Sequence, residues 1–352
     1  MRIGTGAALA ALALGGCDWF HTRFRSIEEA ERYRASAPSP APAPAGSIRV
    51  MTWNVKYGGA RLRFFFECGG TRTLLTEDEV RGNVAAVAER VRAWGPDIVL
   101  LQEVDTRRSK RAAYLDQVQM ILDGAGLNWG AYAADWRADF VPSDGIGPVD
   151  SGNAVLSRWP IAEARRIALA LSDQQDVLER YFYIKHNALE VRVEVPGLGD
   201  LWVVNVHAES FAEMGTKQRH LDQFTAILAG HAAQGHRLVG GGDLNAIPPT
   251  SPVCASFPED AACGDARFTP DDYCGEGTWL DGLYARFTPD VTPAAFGADP
   301  GPWFTFVGDE RFPLNRKLDH LFTSGTWLGA GVLQDAILLS DHVPLVAELQ
   351  IP

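Results

Sequence analysis

From Ser47 onward the chain alternates between two rhythms of apolar residues. Residues 48–55 carry apolar side chains at short spacing and read as a strand. Val80, Val84, Val87, Val91 and Trp94 then recur at helical spacing, so residues 77–94 read as an amphipathic helix. Asp97 leads into the apolar run Ile98–Leu101, suited to a buried strand. Residues 111–123 read as a helix, residues 153–157, 183–195 and 201–206 as strands, and residues 217–233 as a further helix. Strands are expected again at 237–241, 317–322, 336–339 and 345–351. Strand-rich runs with helices between them predict a layered α/β domain.

The punctuation sets the boundaries. Residues 35–47 are Pro, Ala, Ser and Gly without periodicity and read as a semi-extended stalk. The segment before it, residues 26–35, is expected to form a short helix. Residues 248–275 are rich in Pro and Asp, hold three cysteines and read as an inserted loop, stapled by disulfide. No second linker appears, so residues 48–352 are expected to form one domain.

Several strands end on polar residues that an apolar core does not require. Asn54 closes the first, and a turn-forming Asn is common in such a place. Glu103 follows a buried run, where a carboxylate is costly unless an ion pair or a metal compensates it. His207 follows another strand; alone, it suits a structural role as well as a catalytic one. Gly240-Gly241-Gly242 permits close backbone approach and leads to Asp243 and Asn245, which a continuing strand would project to one side. Asp319 sits inside an apolar strand, and Asp341-His342 precedes the last one. A buried Asp can hold an imidazole in one tautomer, which pairs Asp319 with His342 and leaves Asp341 free for a metal or a phosphate.

Charge and cysteine content narrow the classes. The 352-residue chain carries 44 acidic against 32 basic residues, a net charge of −12, with no long basic run. That disfavours broad neutralisation of nucleic-acid phosphates, though a bound metal can supply positive charge locally. Residues 1–16 have the charged start, short apolar core and small residues of an export signal. Leu14-Gly15-Gly16-Cys17 resembles a bacterial lipobox, which implies cleavage before Cys17 and its lipidation. Residues 17–47 would then be a lipidated Cys and stalk, and the protein a lipid-anchored component of the bacterial cell envelope, facing the periplasm or exterior. Export would permit two disulfides among Cys68, Cys254, Cys263 and Cys274 in any of three pairings, with a zinc site as the alternative.

Taken in order, WNVKYGG at 53–59, LLQEV at 100–104, GNAVLSRWPI at 152–161, NVHAES at 205–210, GGDLNA at 241–246, KLDHLF at 317–322 and SDHVPL at 340–345 resemble the endonuclease/exonuclease/phosphatase superfamily. The resemblance spans roughly residues 48–350. It implies a four-layer α/β sandwich of two mixed β-sheets packed face to face with helices outside, and a site at one edge of the sheets. It further implies phosphoester hydrolysis with Mg2+ or Mn2+, held chiefly by Glu103 with Asn54 and Asp341 near it. Asp243 would orient or deprotonate water, and Asn245 would donate to the phosphate. His342, held by Asp319, would act on the water or phosphoryl oxygens. His207 would contact the phosphate or protonate the leaving group, and Arg158 matches a position near the substrate phosphate. Lys56 departs from the AP endonuclease branch, which has an acid there. The substrate is expected to be a phospholipid, a small phosphoester or a nucleic acid, and the protein a monomer. An exported DNA endonuclease and a catalytically inactive surface binding module are the alternatives.

Overall fold

A computed structural model describes residues 23–141, 144–172, 182, 184–210, 215–265 and 268–352. The signal segment 1–16 and Cys17 lie outside the described residues. The strands in chain order are β1 (Ile27–Glu29), β2 (Glu31–Arg34), β3 (Ser47–Asn54), β4 (Ile98–Asp105), β5 (Trp129–Val141), β6 (Gly147–Ser157) and β7 (Ile161–Ala168). They continue with β8 (Asn187–Val195), β9 (Gly199–His207), β10 (Leu238–Asp243), β11 (Thr288–Pro289), β12 (Asp319–Thr323), β13 (Trp327–Val332) and β14 (Leu345–Gln350). One seven-stranded sheet has the order β13-β14-β3-β4-β6-β5-β2, and the other β1-β7-β8-β9-β10-β12-β11. Both are mixed: β3–β4 and β9–β10 are parallel pairs among antiparallel ones.

Alternation along the strands makes the layers. Ile48, Val50, Ile98, Leu100 and Val155 of the first sheet pack against Leu189, Val191, Leu201, Val203, Val239 and Leu321 of the second. The opposite face of the first sheet, with Met51, Trp53, Val99 and Leu101, receives the helices α1 (Glu77–Trp94) and α2 (Gln117–Ala125). The outer face of the second sheet, with Trp202, Val204 and Val206, receives Leu221, Phe224 and Leu228 of α3 (Thr216–Ala233). The result is the expected four-layer sandwich. The boundaries of α1 follow from its ends: Thr76 and Glu79 form a capping box, and Gly95 takes the left-handed conformation after the last turn.

The structure corrects the reading of the N-terminal arm. Residues 27–34 are two short edge strands, not a helix. β1 pairs with β7 (Ile27 opposite Ile167), and β2 pairs with β5 (Tyr33 opposite Gly130). Helix preference among Glu, Ala and Arg amounts to only tenths of a kcal/mol per residue, which sheet-edge pairing outweighs. The sheets thus take in residues ahead of the boundary read at 48. The Pro/Ala run is laid against the domain: Trp159 Nε1 donates to the Pro42 carbonyl at 2.9 Å, and Ser39 and Asn128 exchange two hydrogen bonds. At the other end of the chain, the strand expected at 336–339 is a turn, and β13 pairs with β14 instead. β5 and β7 were not expected from the pattern.

All four described cysteines are paired. Cys254–Cys274 staples the insertion, and Cys68–Cys263 ties it to the loop after β3.

Candidate active site

The face of each strand that packs between the sheets turns from apolar to polar at one edge of the sandwich. After Ile48 and Val50 the same row continues with Thr52 and Asn54; after Ile98 and Leu100 comes Gln102; after Leu201 and Val203 comes Asn205. These buried polar groups bridge the sheets. Gln102 Nε2 donates to Thr52 Oγ1 at 3.1 Å and to Asn205 Oδ1 at 2.6 Å, while Asn205 Nδ2 donates to the carbonyls of Leu101 and Ala154. Above this layer sits a cluster of acids and imidazoles.

Sheet register assembles one half of the cluster. Asp243 lies opposite His207 across the parallel β9–β10 pair and opposite Asp319 across the antiparallel β10–β12 pair. Three chemical groups therefore stand abreast on adjacent strands. Gly242 makes this row possible: its φ is +136°, and a β-carbon there would lie 1.9 Å from the Val206 carbonyl oxygen.

A bulge supplies the other half. Between Leu101 and Val104 the pairing of β4 with β6 slips by one residue, and Glu103 has a φ of +55°. Strict alternation would send Glu103 toward the helices with Val99 and Leu101. The extra residue turns it toward Asn54, whose Nδ2 donates to Glu103 Oε1 at 2.9 Å and to Asp243 Oδ2 at 3.0 Å. His207 Nε2 lies 3.6 Å from Asp243 Oδ2 and 3.8 Å from Glu103 Oε1.

His342 enters from the loop before β14. Its Nδ1 bonds Asp319 Oδ2 at 2.8 Å, and its Nε2 lies 3.4 Å from Asp243 Oδ2. Trp53 Nε1 donates to its carbonyl, and the Phe306 ring packs on the imidazole at 4.7 Å between centroids. Burial opposes a charge on His342, but Asp319 and Asp243 outweigh it and push the imidazolium pKa up to about 10. His342 is therefore a hydrogen-bond donor at neutral pH. Asp243, Asp319 and His342 lie close enough together to suggest a metal cage. Asp319 holds one ring nitrogen of His342 and turns the other toward Asp243, so the triad reads as a relay.

Asp341 sits beside this relay. Burial opposes its ionisation too, yet Lys56, His342 and Arg61 hold its carboxyl down at about 2. Asn245, also at positive φ, donates from its backbone to Asp243 Oδ1 and from Nδ2 to the Ala208 carbonyl, leaving one amide hydrogen to offer.

Asn54, Glu103, His207, Asp243, Asn245, Asp319, Asp341 and His342 thus come together at one edge. Arg158 does not. Its Nε donates to Asp97 Oδ1 at 2.8 Å, just ahead of β4. That position is the opposite end of the strand from Glu103, on the order of 20 Å away. The assignment of Arg158 to the substrate phosphate is corrected: it is an ion-pair partner of Asp97. A cleft of about 580 Å³ also lies away from the cluster, at Arg237, Thr323 and Leu349, and no Asp or Glu side chain is among its described lining.

Two groups at the site had no role in the sequence reading. Lys56, almost fully buried, pairs with Glu67 and lies 3.4 Å from Asp341 Oδ2. His186 donates from Nδ1 to the His207 carbonyl at 3.0 Å, with Glu209 3.6 Å from its Nε2. Its polar place in a strand was the only signal.

The donor set suits a hard divalent cation. Glu103 offers carboxylate oxygen, held in place by the Asn54 Nδ2, and its side chain keeps 28% of its surface exposed at the mouth of the cluster.

Comparison with known proteins identifies the family and the fold. The profile of the Endonuclease/Exonuclease/phosphatase family matches residues 51–342. None of the curated proteins compared with the chain matches it. Among solved structures, an endonuclease/exonuclease/phosphatase from Beutenbergia cavernae is similar at 20% identity, with 87% of this chain and 72% of that one covered and a TM-score of 0.59. The human Nocturnin catalytic domain with bound sulfate is similar at 16% identity, with 92% and 97% covered and a TM-score of 0.53. A family protein from Leptotrichia buccalis is similar at 12% identity, with 86% and 100% covered and a TM-score of 0.54. These likenesses concern the fold. The chain belongs to the endonuclease/exonuclease/phosphatase family.

Proposed function

We propose that this protein is a divalent-metal-dependent phosphoester hydrolase, a phosphodiesterase or phosphatase, held on a bacterial membrane through lipidated Cys17 and acting as a monomer. One observation carries the hydrolase reading: the relay Asp319–His342–Asp243 faces the Glu103–Asn54 pair across a single cluster. Glu103 and Asn54 would hold Mg2+ or Mn2+, with Asp341 beside them. Such an ion supplies Lewis acidity at a phosphoryl oxygen and offsets developing negative charge.

The chain's own groups account for the proton chemistry. Asp243 accepts a hydrogen bond from the attacking water and takes its proton as the new P–O bond forms. His342, kept protonated by Asp319, donates to a phosphoryl oxygen. Asn245 offers its remaining amide hydrogen to the same group. His207, on the Glu103 side of Asp243, gives a proton to the leaving oxygen as the scissile P–O bond breaks.

The net charge of −12 and the absence of a basic run favour a small or lipid phosphoester over extended nucleic acid. The test is a hydrolysis panel on purified mature protein: bis(p-nitrophenyl) phosphate, plasmid DNA, sphingomyelin and phosphoinositides, each with and without EDTA. The expected result is EDTA-sensitive cleavage of at least one substrate, lost in Glu103→Ala and His342→Ala. Hydrolysis that survives EDTA and both substitutions would overturn the proposal.

A further inference from the structure

Lys56 is placed with unusual care for a residue that no catalytic step uses. It and Tyr57 both hold positive φ, +46° and +43°, one residue past the end of β3. Non-glycine residues seldom adopt this conformation, and two in succession persist only where the surroundings over-determine them. Here they do. The Lys56 backbone N–H donates to Asn54 Oδ1 at 3.0 Å, Gln117 Nε2 donates to the Tyr57 carbonyl at 2.6 Å, and the Tyr57 ring lies between Phe64 and the Arg111 guanidinium.

The kink drives a lysine side chain back into the acidic cluster, where it is 4% exposed. Its ammonium touches Glu67 and lies 3.4 Å from Asp341 Oδ2. Glu67 is itself fixed: its second oxygen accepts from the Phe64 N–H at 2.6 Å, and Cys68, the next residue, is bonded to Cys263. A second cation reinforces the arrangement. Arg61 donates to the carbonyls of Ser340 and Val307 and to Glu310, which puts its guanidinium beside Asp341. Asp341 is thus compensated by fixed protein charge, whereas Glu103 on the far side of Asn54 accepts a hydrogen bond from the neutral Asn54 amide, with only the titratable His207 ring near it at 3.8 Å.

We propose that Lys56 is a specificity-determining residue for metal stoichiometry: pinned by Glu67, its ammonium occupies the cation position beside Asp341 and restricts the site to one divalent ion, on Glu103. The inference rests on the metal-dependent reading above and deepens it. A fixed ammonium at that place repels a second divalent ion and removes the carboxylate that would hold it. With Lys56 neutralised, Asp341 and Glu67 lose the ammonium between them and become two carboxylates facing the cluster, with Arg61 held off by its own partners, an oxygen site for a second ion.

The test counts Mn2+ that stays with the protein through gel filtration. Wild type should retain one ion, Lys56→Gln two, and the double variant Lys56→Gln/Asp341→Asn one again. Lys56→Arg, which keeps the cation, should retain one. If Lys56→Gln does not fold, Lys56→Met, neutral and of similar length, supplies the count in its place. Two ions on wild type, or one on a folded neutral variant, would overturn the proposal. No ion on wild type, together with EDTA-insensitive hydrolysis, would overturn the metal-dependent reading itself.

Discussion

His342 and Asp319 form a buried pair in which Nδ1 lies 2.8 Å from Oδ2, and this contact leaves the opposite ring nitrogen aimed at Asp243. Asp319 thereby settles both the orientation and the charge of the imidazole. Asp319→Asn keeps the shape but removes the anion. It should lower kcat by about 100-fold or more, the ordinary worth of a preorganised donor to charge developing in the transition state, while KM moves little. Steady-state kinetics on the best substrate of the panel checks this. A rise in KM with unchanged kcat would make Asp319 a binding residue instead.

Arg158 leads to the opposite expectation. It bonds Asp97, and Asp97 also accepts from the Arg49 N–H at 2.9 Å. Arg158→Ala should leave kcat/KM unchanged and lower stability by about 1.5–3 kcal/mol, the usual worth of a hydrogen bond to a charged group. Urea midpoints and kinetics on the same preparation decide between the roles. Lost activity with an unchanged midpoint would return Arg158 to the phosphate.

The contrast between these two residues shows what was legible in the sequence. Asp319, Asp243, Asn54 and His207 could be read because each sits on or just after a strand, and strand ends gather at one sheet edge. Glu103 was legible as a costly carboxylate, but the bulge that aims it was not. Arg158 misled because β6 runs antiparallel to β4, so the end of its motif lies at the far edge. Lys56 reads in the sequence only as a departure from the AP endonuclease branch; its place inside the cluster was not legible, since two successive positive φ values bring it inward. The edge strands at 27–34 were read as helix because local preference says nothing about a distant partner. The apolar rhythm was enough for α1, whose predicted and observed limits coincide.

Cys17 allows a separate test of the envelope proposal. Cys17→Ser should move the protein from the membrane fraction to the soluble fraction of the host, since the acyl chains rather than the folded domain provide the anchor. Among the described residues no helix is long and apolar enough to cross a membrane. Membrane retention of the serine variant would sink the lipid anchor.

The two disulfides should differ in worth. Cys68–Cys263 joins positions 195 residues apart, and Cys254–Cys274 positions 20 apart. Chain entropy assigns about 5 kcal/mol to the longer loop and about 3 kcal/mol to the shorter. The double Ser variants should follow that order in urea unfolding. A reversed order would show that native contacts of the insertion, rather than restriction of the unfolded chain, set the difference.

His220 makes a prediction about acid sensitivity. It is fully buried, with Nε2 2.7 Å from the Ala170 carbonyl oxygen and Nδ1 accepting from the Glu209 N–H at 3.1 Å. Both nitrogens are committed in the neutral ring, and there is no place for a second proton. Burial, with His186 close by, holds its pKa down at about 3. In the unfolded chain the value is about 6.5. Between those limits the unfolded state binds a proton that the folded state refuses, so stability falls as pH drops, by up to ~1.4 kcal/mol per pH unit. Asp135 and Asp260 oppose this trend. Burial raises both to about 6, so the folded state keeps their protons, and their contribution shrinks as pH rises from about 4 to 6. The wild-type profile sums these terms; a comparison with His220→Gln isolates one. The glutamine variant should gain on wild type by roughly 2 kcal/mol between pH 7 and pH 5 in urea unfolding. An equal gap at both pH values would show that protonation of His220 does not drive acid unfolding.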